Sequence, residues 1–138
     1  MWSHYASFHS GICVRFKHSP SEFLFGQSLD VNYNSKRSVI NPVRDGDPRE
    51  TIVDILLSKA DYWAYEEELR ITDPAGPGLK SFDPDLLDGV YMGARITPEH
   101  RDAILGWAQD RGSLEVFQGR LDETEYRLVF DRIDLQSR

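Results

Sequence analysis

The sequence predicts a compact α+β domain that combines a mixed or antiparallel sheet with two to three helices. Several short stretches alternate apolar with polar residues, which is the pattern of strands that bury one face. Two segments begin with a capping residue followed by proline, which is a helix-start signal. The 138 residues have the size of one domain, so residues 1–138 are expected to form a single domain.

The first two elements are predicted over residues 1–16. Residues 1–10 read as a helix that Gly11 ends, with a buried stripe of Trp2, Tyr5, Ala6 and His9. Residues 12–16 then alternate as a strand. Its predicted core-facing side chains are Ile12, Val14 and Phe16, and its opposite face carries Cys13 and Arg15.

The middle of the chain is predicted to hold a strand, a loop and a helix. Residues 19–25 read as a turn or helical piece, residues 29–33 as a strand and residues 34–46 as a polar loop. Asp47, Pro48 and Glu50 form a strong helix start, because they supply a cap, a first-turn proline and a capping-box glutamate. The helix is expected to reach about Lys59. Its predicted core-facing residues are Ile52, Ile55 and Leu56.

The second half of the chain adds a loop, three strands and the last helix. Residues 73–78 are a loop by composition, and residues 89–96 alternate as a strand. Thr97 and Pro98 begin the helix, and two strands follow over residues 114–118 and 125–130 with a turn at 119–122. The predicted buried residues here are Val90, Met92, Ala94 and Ile96 of the strand and Ile104, Leu105 and Ala108 of the helix, with Tyr91, Gly93 and Arg95 on the other face of the strand.

Charge and composition limit the classes of function. A net charge of −7 argues against a broad nucleic-acid surface, which needs a basic face. Twelve arginines against four lysines favour capture of carboxylate or phosphate, because guanidinium groups bind these anions in a bidentate manner. Cys13 is the sole cysteine, so no intrachain disulfide forms. No apolar run approaches the roughly 20 residues that span a bilayer, and a cytoplasmic location without membrane partners is expected.

The densest chemistry lies in residues 63–71. If this segment is a strand, Glu66, Glu68 and Arg70 share one face, with the two carboxylates roughly 6–7 Å apart. Two carboxylates at that distance perturb each other, so one of them is expected to have a raised pKa suited to acid/base work. The alternative is a surface helix in which Glu66 and Arg70 form an ordinary i,i+4 ion pair.

Arginines on three predicted elements define a candidate anion site. Arg15, Arg70 and Arg95 each lie opposite the apolar face of their own strand, so they converge if the strands share one sheet. Tyr65 or Tyr91 is then placed to stack on a ligand or to offer a hydroxyl group. The alternative is three independent ion pairs with the many carboxylates. His4 and His9 are five residues apart, which is off-register for one helix face, so no metal site is predicted.

Several segments occur together in a specific order and spacing. They are Met1 to Ala6, His9, Gly11 to Phe16, Val31 to Tyr33, Lys59 before Trp63, Tyr65, Glu66, Glu68, Arg70 and Ile71, and Val90 to Arg95. In this order they resemble the bacterial domain-of-unknown-function family 2971, over residues 1 to about 111. Members typically carry a portion before the first segment. The resemblance therefore implies a short member or the C-terminal part of a longer architecture, and it supplies a grouping without an activity.

The leading functional hypothesis is an ADP-ribosyltransferase-like or other nucleotide-handling activity, with no cofactor assigned. By analogy, such enzymes use these residue types to grip a dinucleotide and to stabilise an oxocarbenium-like centre. Glu66 or Glu68 is the expected polarising carboxylate. His4 and Tyr5 are expected to position the ligand, and Arg70 or Arg95 to meet its phosphate.

Two other functions compete with this hypothesis. A metal-dependent nuclease is the weaker one, because the lysine that usually accompanies an acidic pair is expected to be replaced by Arg70, a poor general base. The second is a non-catalytic interaction or regulatory domain that forms a homo-oligomer or joins a partner. It rests on the aromatic opening helix, in which Trp2, Tyr5 and Phe8 form an apolar patch if nothing covers them.

Overall fold

The computed structural model describes residues 2–18, 28–37, 48–73 and 75–135. Contacts divide the chain into two compact units, Met1–His18 with Ser81–Arg138 and Ser19–Lys80. The expectation of a single domain over residues 1–138 stays a prediction. Within the described residues the regular elements are, in chain order, α1 (Trp2–Tyr5), β1 (Ile12–Phe16), β2 (Leu29–Asp30), β3 (Asn32–Asn34), α2 (Pro48–Leu57), β4 (Ser58–Ala60), β5 (Leu69–Arg70), β6 (Leu87–Met92), α3 (Pro98–Arg111), β7 (Glu115–Leu121) and β8 (Leu128–Ile133), with 3₁₀ helices at Asp61–Glu66 and Pro84–Leu86.

The first unit is built on a four-stranded sheet in the order β1-β6-β7-β8. Strands β6 and β7 run parallel, and the β1–β6 and β7–β8 pairs are antiparallel. The parallel pair is joined through α3, the usual crossover for parallel strands. The sheet is therefore mixed, and the predicted α+β class is confirmed.

The core of the first unit lies between α3 and the inner strands. Val90, Met92 and Val116 are fully buried from the sheet, and Leu105 and Ala108 are buried from the helix. The helix begins as predicted, because the Thr97 side chain accepts a hydrogen bond from the His100 backbone N–H and Pro98 follows it. The predicted stripe on α3 is confirmed at its two buried positions, and Ile104 packs against the same core.

The edge strand β1 differs from its prediction. Ile12 and Val14 pair with Met92 and Val90 of β6, yet their side chains remain 48% and 43% exposed. The core cluster is made by the inner strands and α3, so these two side chains lie at its margin. Their prediction as core residues was wrong, whereas Phe16 does pack against the core.

The opening helix is shorter than predicted and ends at Tyr5. Ser7, Phe8 and His9 have positive φ angles, which a helix does not allow, so the predicted helix over residues 1–10 was wrong beyond its first turn. The reversal places backbone carbonyls against the end of β6. The Gly93 N–H donates to the Gly11 carbonyl at 2.9 Å. The strand predicted for residues 89–96 accordingly ends at Met92 and is followed by a turn.

The last hairpin is displaced from its predicted position. Strand β7 continues through Leu121, so the predicted turn at residues 119–122 is mostly strand, and β8 begins only at Leu128. The reversal between them is held by the carboxylate of Asp122. It accepts hydrogen bonds from the backbone N–H groups of Thr124 and Glu125 and from the side chain of Arg127.

The second unit contains two small strand pairs around α2. Strand β2 pairs antiparallel with β5, and β3 pairs parallel with β4, with α2 between the parallel strands in sequence. The predicted strand at residues 29–33 is thus split in two around the buried Val31. The loop predicted at residues 73–78 is confirmed where it is described. The turn predicted at residues 19–25 lies outside the described residues.

Helix α2 is present but does not bury the predicted face. Ile52, Ile55 and Leu56 are each about half exposed, whereas Leu57 is buried. The prediction of the buried face was therefore wrong, while the helix itself is confirmed over Pro48–Leu57. The predicted cap, Asp47, lies outside the described residues. Across the described part of the chain, no helix has both the length and the apolar character needed to cross a bilayer.

Candidate functional site

The segment with the densest chemistry is not a continuous strand. Residues Asp61–Glu66 form a 3₁₀ helix, Glu67 adopts a left-handed conformation with φ 47°, and only Leu69–Arg70 belong to a strand. The strand prediction for residues 63–71 was therefore wrong over its first half. The sharp turn at Glu67 separates the two carboxylates whose common face had been expected from strand alternation.

Lys59 brings the two carboxylates together instead. Its ammonium group donates to Oε2 of Glu66 and, at 2.6 Å, to Oε2 of Glu68. The side chains of Lys59 and Glu66 are only 14% and 5% exposed. Such ion pairs interact more strongly than surface pairs, because little water screens them.

Glu68 is bonded through both its side chain and its backbone. Its Oε1 accepts from Nε of Arg70 at 2.6 Å, and its backbone N–H donates to the hydroxyl oxygen of Tyr33 at 2.8 Å. Arg70 also donates to the backbone carbonyl of Leu56 at the end of α2. We name Lys59, Glu66, Glu68 and Arg70 the Lys59 network.

The network fixes the charge of Glu68. Hydrogen bonds from Arg70 and then Lys59 lower the pKa of Glu68 to about 2, so its carboxyl group is ionised at neutral pH. Hydrogen bonds to Glu66 and then Glu68 raise the pKa of the Lys59 ammonium group. The expectation of a raised carboxyl pKa is wrong for Glu68. Its chemistry is that of a fixed negative charge and not of a proton donor.

Glu66 has one oxygen that the network does not use. Its side chain is almost fully buried, and Oε2 binds Lys59. Its Oε1 is also buried and has no hydrogen-bond partner among the described residues. Buried polar atoms nearly always have partners, so this oxygen is set to accept a hydrogen bond from a group outside that set.

Aromatic side chains lie beside the network. The Lys59 ammonium group is 5.4 Å from the ring centroid of Trp63, within cation–π range. The rings of Trp63 and Tyr65 are 5.9 Å apart, and the Tyr65 side chain is exposed. Tyr65 is thus available to a ligand, as its predicted role in stacking requires.

Arg15 occupies a separate cluster on the sheet of the first unit. Its guanidinium group donates to Asp88 at 2.7 Å, to Glu115 at 2.5 Å and to the hydroxyl oxygen of Tyr91 at 2.8 Å. It lies 5.6 Å from the ring centroid of Phe117, which stacks on Tyr91. The hydrogen bond to Glu115 is the main reason that the pKa of Arg15 is raised. All three guanidinium nitrogens of Arg15 therefore donate hydrogen bonds to protein side chains.

The other predicted site residues are divided between the two units. His4, Tyr5 and Arg95 are exposed and belong to the first unit, together with Arg15, whereas Arg70 belongs to the second. Arg15 and Arg70 each form ion pairs with their own carboxylates, as the alternative interpretation expected. Convergence of the three arginines stays a prediction.

Two residues of the site were not among the predicted site residues. Lys59 precedes Glu66 by seven residues and Tyr33 precedes Glu68 by 35, and neither position follows from the alternation of residues 63–71. Both occur in the segments that carried the family resemblance, which was the available signal. The expectation that Arg70 replaces a lysine beside the acidic pair was wrong, because Lys59 contacts both carboxylates. Within the described residues, no three His, Cys, Asp or Glu side chains are grouped so that they could hold a metal ion.

Comparison with known proteins places the chain in a family. The family model described as "Protein of unknown function (DUF2971)" matches residues 1–71. The match contains the opening segment and the whole Lys59 network, while the Val90 to Arg95 segment lies beyond it. No curated protein and no solved structure shows significant similarity to the chain. The match spans more than half of the sequence, so the chain belongs to the DUF2971 family of proteins of unknown function.

Proposed function

We propose that this protein binds a polar small molecule of the nucleotide class beside the Lys59 network and acts on it by ADP-ribosyltransferase-like chemistry. The observation that carries the proposal is the unpartnered Oε1 of Glu66, in a side chain that is only 5% exposed. A ligand hydroxyl or N–H group would give this oxygen the partner that buried oxygens require. The ribose hydroxyl groups of a nucleotide supply such donors.

The charge of Glu68 supports the second part of the proposal. In ADP-ribosyl transfer from NAD, the bond between the nicotinamide nitrogen and ribose C1′ breaks, and nicotinamide leaves with the electron pair. C1′ becomes positively charged, then bonds to an oxygen or nitrogen of the acceptor, which loses a proton. A carboxylate that is ionised at neutral pH stabilises this charge, and Glu68 has that property.

The structural observations support the proposed roles of the remaining residues to different degrees. Tyr65 is exposed and can stack on a base, and Arg70 fixes Glu68 through a 2.6 Å hydrogen bond. The expected roles of His4 and Tyr5 in positioning the ligand stay predictions. Arg15 is surrounded by its own carboxylates, so the proposal does not use it.

Calorimetry of the full chain with NAD tests binding. We expect saturable binding that Glu66→Gln weakens at least about tenfold, because the hydrogen bond to the ligand loses the carboxylate charge that strengthens it. The matched control is Glu67→Gln, which removes the same charge from the exposed neighbouring residue and should leave the affinity unchanged. No NAD binding, or equal loss in both variants, would contradict the proposal.

Release of nicotinamide from NAD tests the chemistry separately. Glu68→Gln should lower the rate by about a hundredfold or more, the usual cost of removing one group that stabilises transition-state charge. Binding should change much less than the rate. Binding without any nicotinamide release would restrict the protein to ligand binding.

The exposed aromatic residues near the N-terminus favour a second candidate function, association of two copies of the chain. Tyr5 and Phe8 are 66% and 74% exposed, whereas Trp2 packs on the ring of Phe130. Light scattering after size exclusion should show a dimer that Phe8→Ser dissociates. A monomer at all accessible concentrations would refute this candidate.

A further inference from the structure

A cavity of about 520 Å³ lies within the second unit, beside the Lys59 network. It has the size of small-molecule sites in proteins. Its wall includes the end of β3, the bend after it and all of β4. Among the described residues, the polar ones that line it are Asn34, Ser35, Lys36, Arg37, Ser58 and Lys59.

The lining of this cavity is basic, although the protein as a whole is acidic. Three of the described lining residues carry a cation, and none carries a carboxylate. The Lys59 ammonium group is balanced by Glu66 and Glu68. Lys36 and Arg37 are exposed and have no ion-pair partner among the described residues, so their charges are uncompensated there.

The position of the cavity also fits an anion site. Strands β3 and β4 are parallel, with Asn34 opposite Ala60 at their carboxyl ends. Ser35, Lys36 and Arg37 continue directly from that end of β3. Ligands of parallel sheets commonly bind where the carboxyl ends of strands meet, because the loops that leave them carry the ligand-binding groups.

We infer that this cavity binds the phosphate group of a phosphate-bearing small molecule. Lys36 and Arg37 supply the opposing charge, and Arg37 can hold two phosphate oxygens at once. The hydroxyl and amide groups of Ser35 and Asn34 supply neutral hydrogen bonds. This inference rests on the proposed function, because Lys59 lines the cavity and also belongs to the network that receives the rest of the ligand.

Calorimetry with three probes separates the two proposals. ADP-ribose should bind more tightly than adenosine, and inorganic phosphate should bind weakly and compete with ADP-ribose. The double variant Lys36→Gln/Arg37→Gln should lose at least about tenfold in ADP-ribose affinity and should leave adenosine unaffected. Both side chains are exposed, so the variant is expected to fold, which circular dichroism checks.

The matched control is Arg120→Gln/Arg132→Gln, which removes two charges from exposed arginines of the first unit. It should leave the ADP-ribose affinity unchanged. Equal losses in the two double variants would overturn the phosphate site, because only the overall charge would then matter. ADP-ribose binding that ignores Lys36 and Arg37 but is weakened by Glu66→Gln would overturn this inference and leave the proposed function standing. No binding of any probe would overturn both.

Discussion

The carbonyl oxygen of His9 accepts a hydrogen bond from the Arg95 backbone N–H at 2.8 Å, directly over Gly93. A β-carbon on Gly93 would collide with that carbonyl group, so only glycine fits. We expect Gly93→Ala to lower the free energy of unfolding by about 2 kcal/mol, because the N-terminal segment must move away. Chemical denaturation of the full chain measures this loss.

The matched control for that substitution is Gly106→Ala within α3. A β-carbon at Gly106 meets no atom within 4 Å, so alanine should stabilise the helix by about 0.5–1 kcal/mol. Opposite signs for the two variants are the expected result. Equal effects would show that the N-terminal segment does not cross Gly93 in this way.

The Arg15 cluster predicts that lysine cannot replace arginine. Arg15 binds Asp88, Glu115 and Tyr91 through three different nitrogens, and a lysine ammonium group cannot reach all of them. Arg15→Lys should cost about 1 kcal/mol of unfolding free energy. Arg120→Lys, at an exposed pair with Asp131, should cost less than about 0.5 kcal/mol. Similar costs at both sites would contradict the packing described for Arg15.

The low pKa of Glu68 predicts a loss of stability in acid. Its pKa is about 2 in the folded chain and about 4.3 when unfolded, so the unfolded chain binds the proton more readily. The stabilising contribution is complete above about pH 5 and is lost as the pH falls towards 2. Asp73 and Asp122 also have lowered pKa values and add to the same trend.

A comparison of wild type with Glu68→Gln isolates the contribution of Glu68 to the pH dependence of the free energy of unfolding. The variant should be less stable at pH 7, and the difference should shrink at pH 3, because the unfolded wild-type chain then already carries the proton on Glu68. Denaturant midpoints at the two pH values measure it. A difference that stays constant with pH would contradict the ion pairs with Arg70 and Lys59.

The different burial of core and edge strands predicts that a valine-to-alanine substitution lowers the free energy of unfolding by different amounts in the two places. Val116 on β7 is fully buried, while Val14 on β1 is largely exposed. Val116→Ala should destabilise by about 2 kcal/mol through lost burial and a residual cavity. Val14→Ala should cost well under about 1 kcal/mol. Thermal unfolding of the two variants checks whether the Val14 side chain lies at the margin of the core.

The start of a helix could be predicted from the sequence, whereas the chain reversal at residues 7–9 could not. Thr97 and Pro98 mark the start of α3 through local chemistry, so a few residues suffice to locate it. The three positive φ angles from Ser7 to His9 have no such local marker, because none of these residues is glycine. They are accompanied by local hydrogen bonds from Ser10 and Gly11 to the Ala6 carbonyl and by hydrogen bonds to the turn after β6, far along the chain.

The candidate site was predicted in composition but not in geometry. Glu66, Glu68 and Arg70 were identified by residue type, and Arg70 does bind Glu68. The 3₁₀ helix at Asp61–Glu66 could not be read from alternation, since short apolar and polar patterns fit several conformations. The 3₁₀ helix and the turn at Glu67 bring Glu66 and Glu68 back to Lys59. The contacts of Lys59 therefore depend on how this segment folds.

The Lys59 network is formed within one short stretch of chain, from Lys59 to Arg70. Its three salt bridges join residues of that stretch, while Val31 and Tyr33 form hydrogen bonds to Glu68 from outside it. Contacts between residues close in sequence form quickly, because little chain entropy is lost in closing small loops. The ion pairs of the charged centre are therefore expected to form early during folding, before the rest of the unit packs around them.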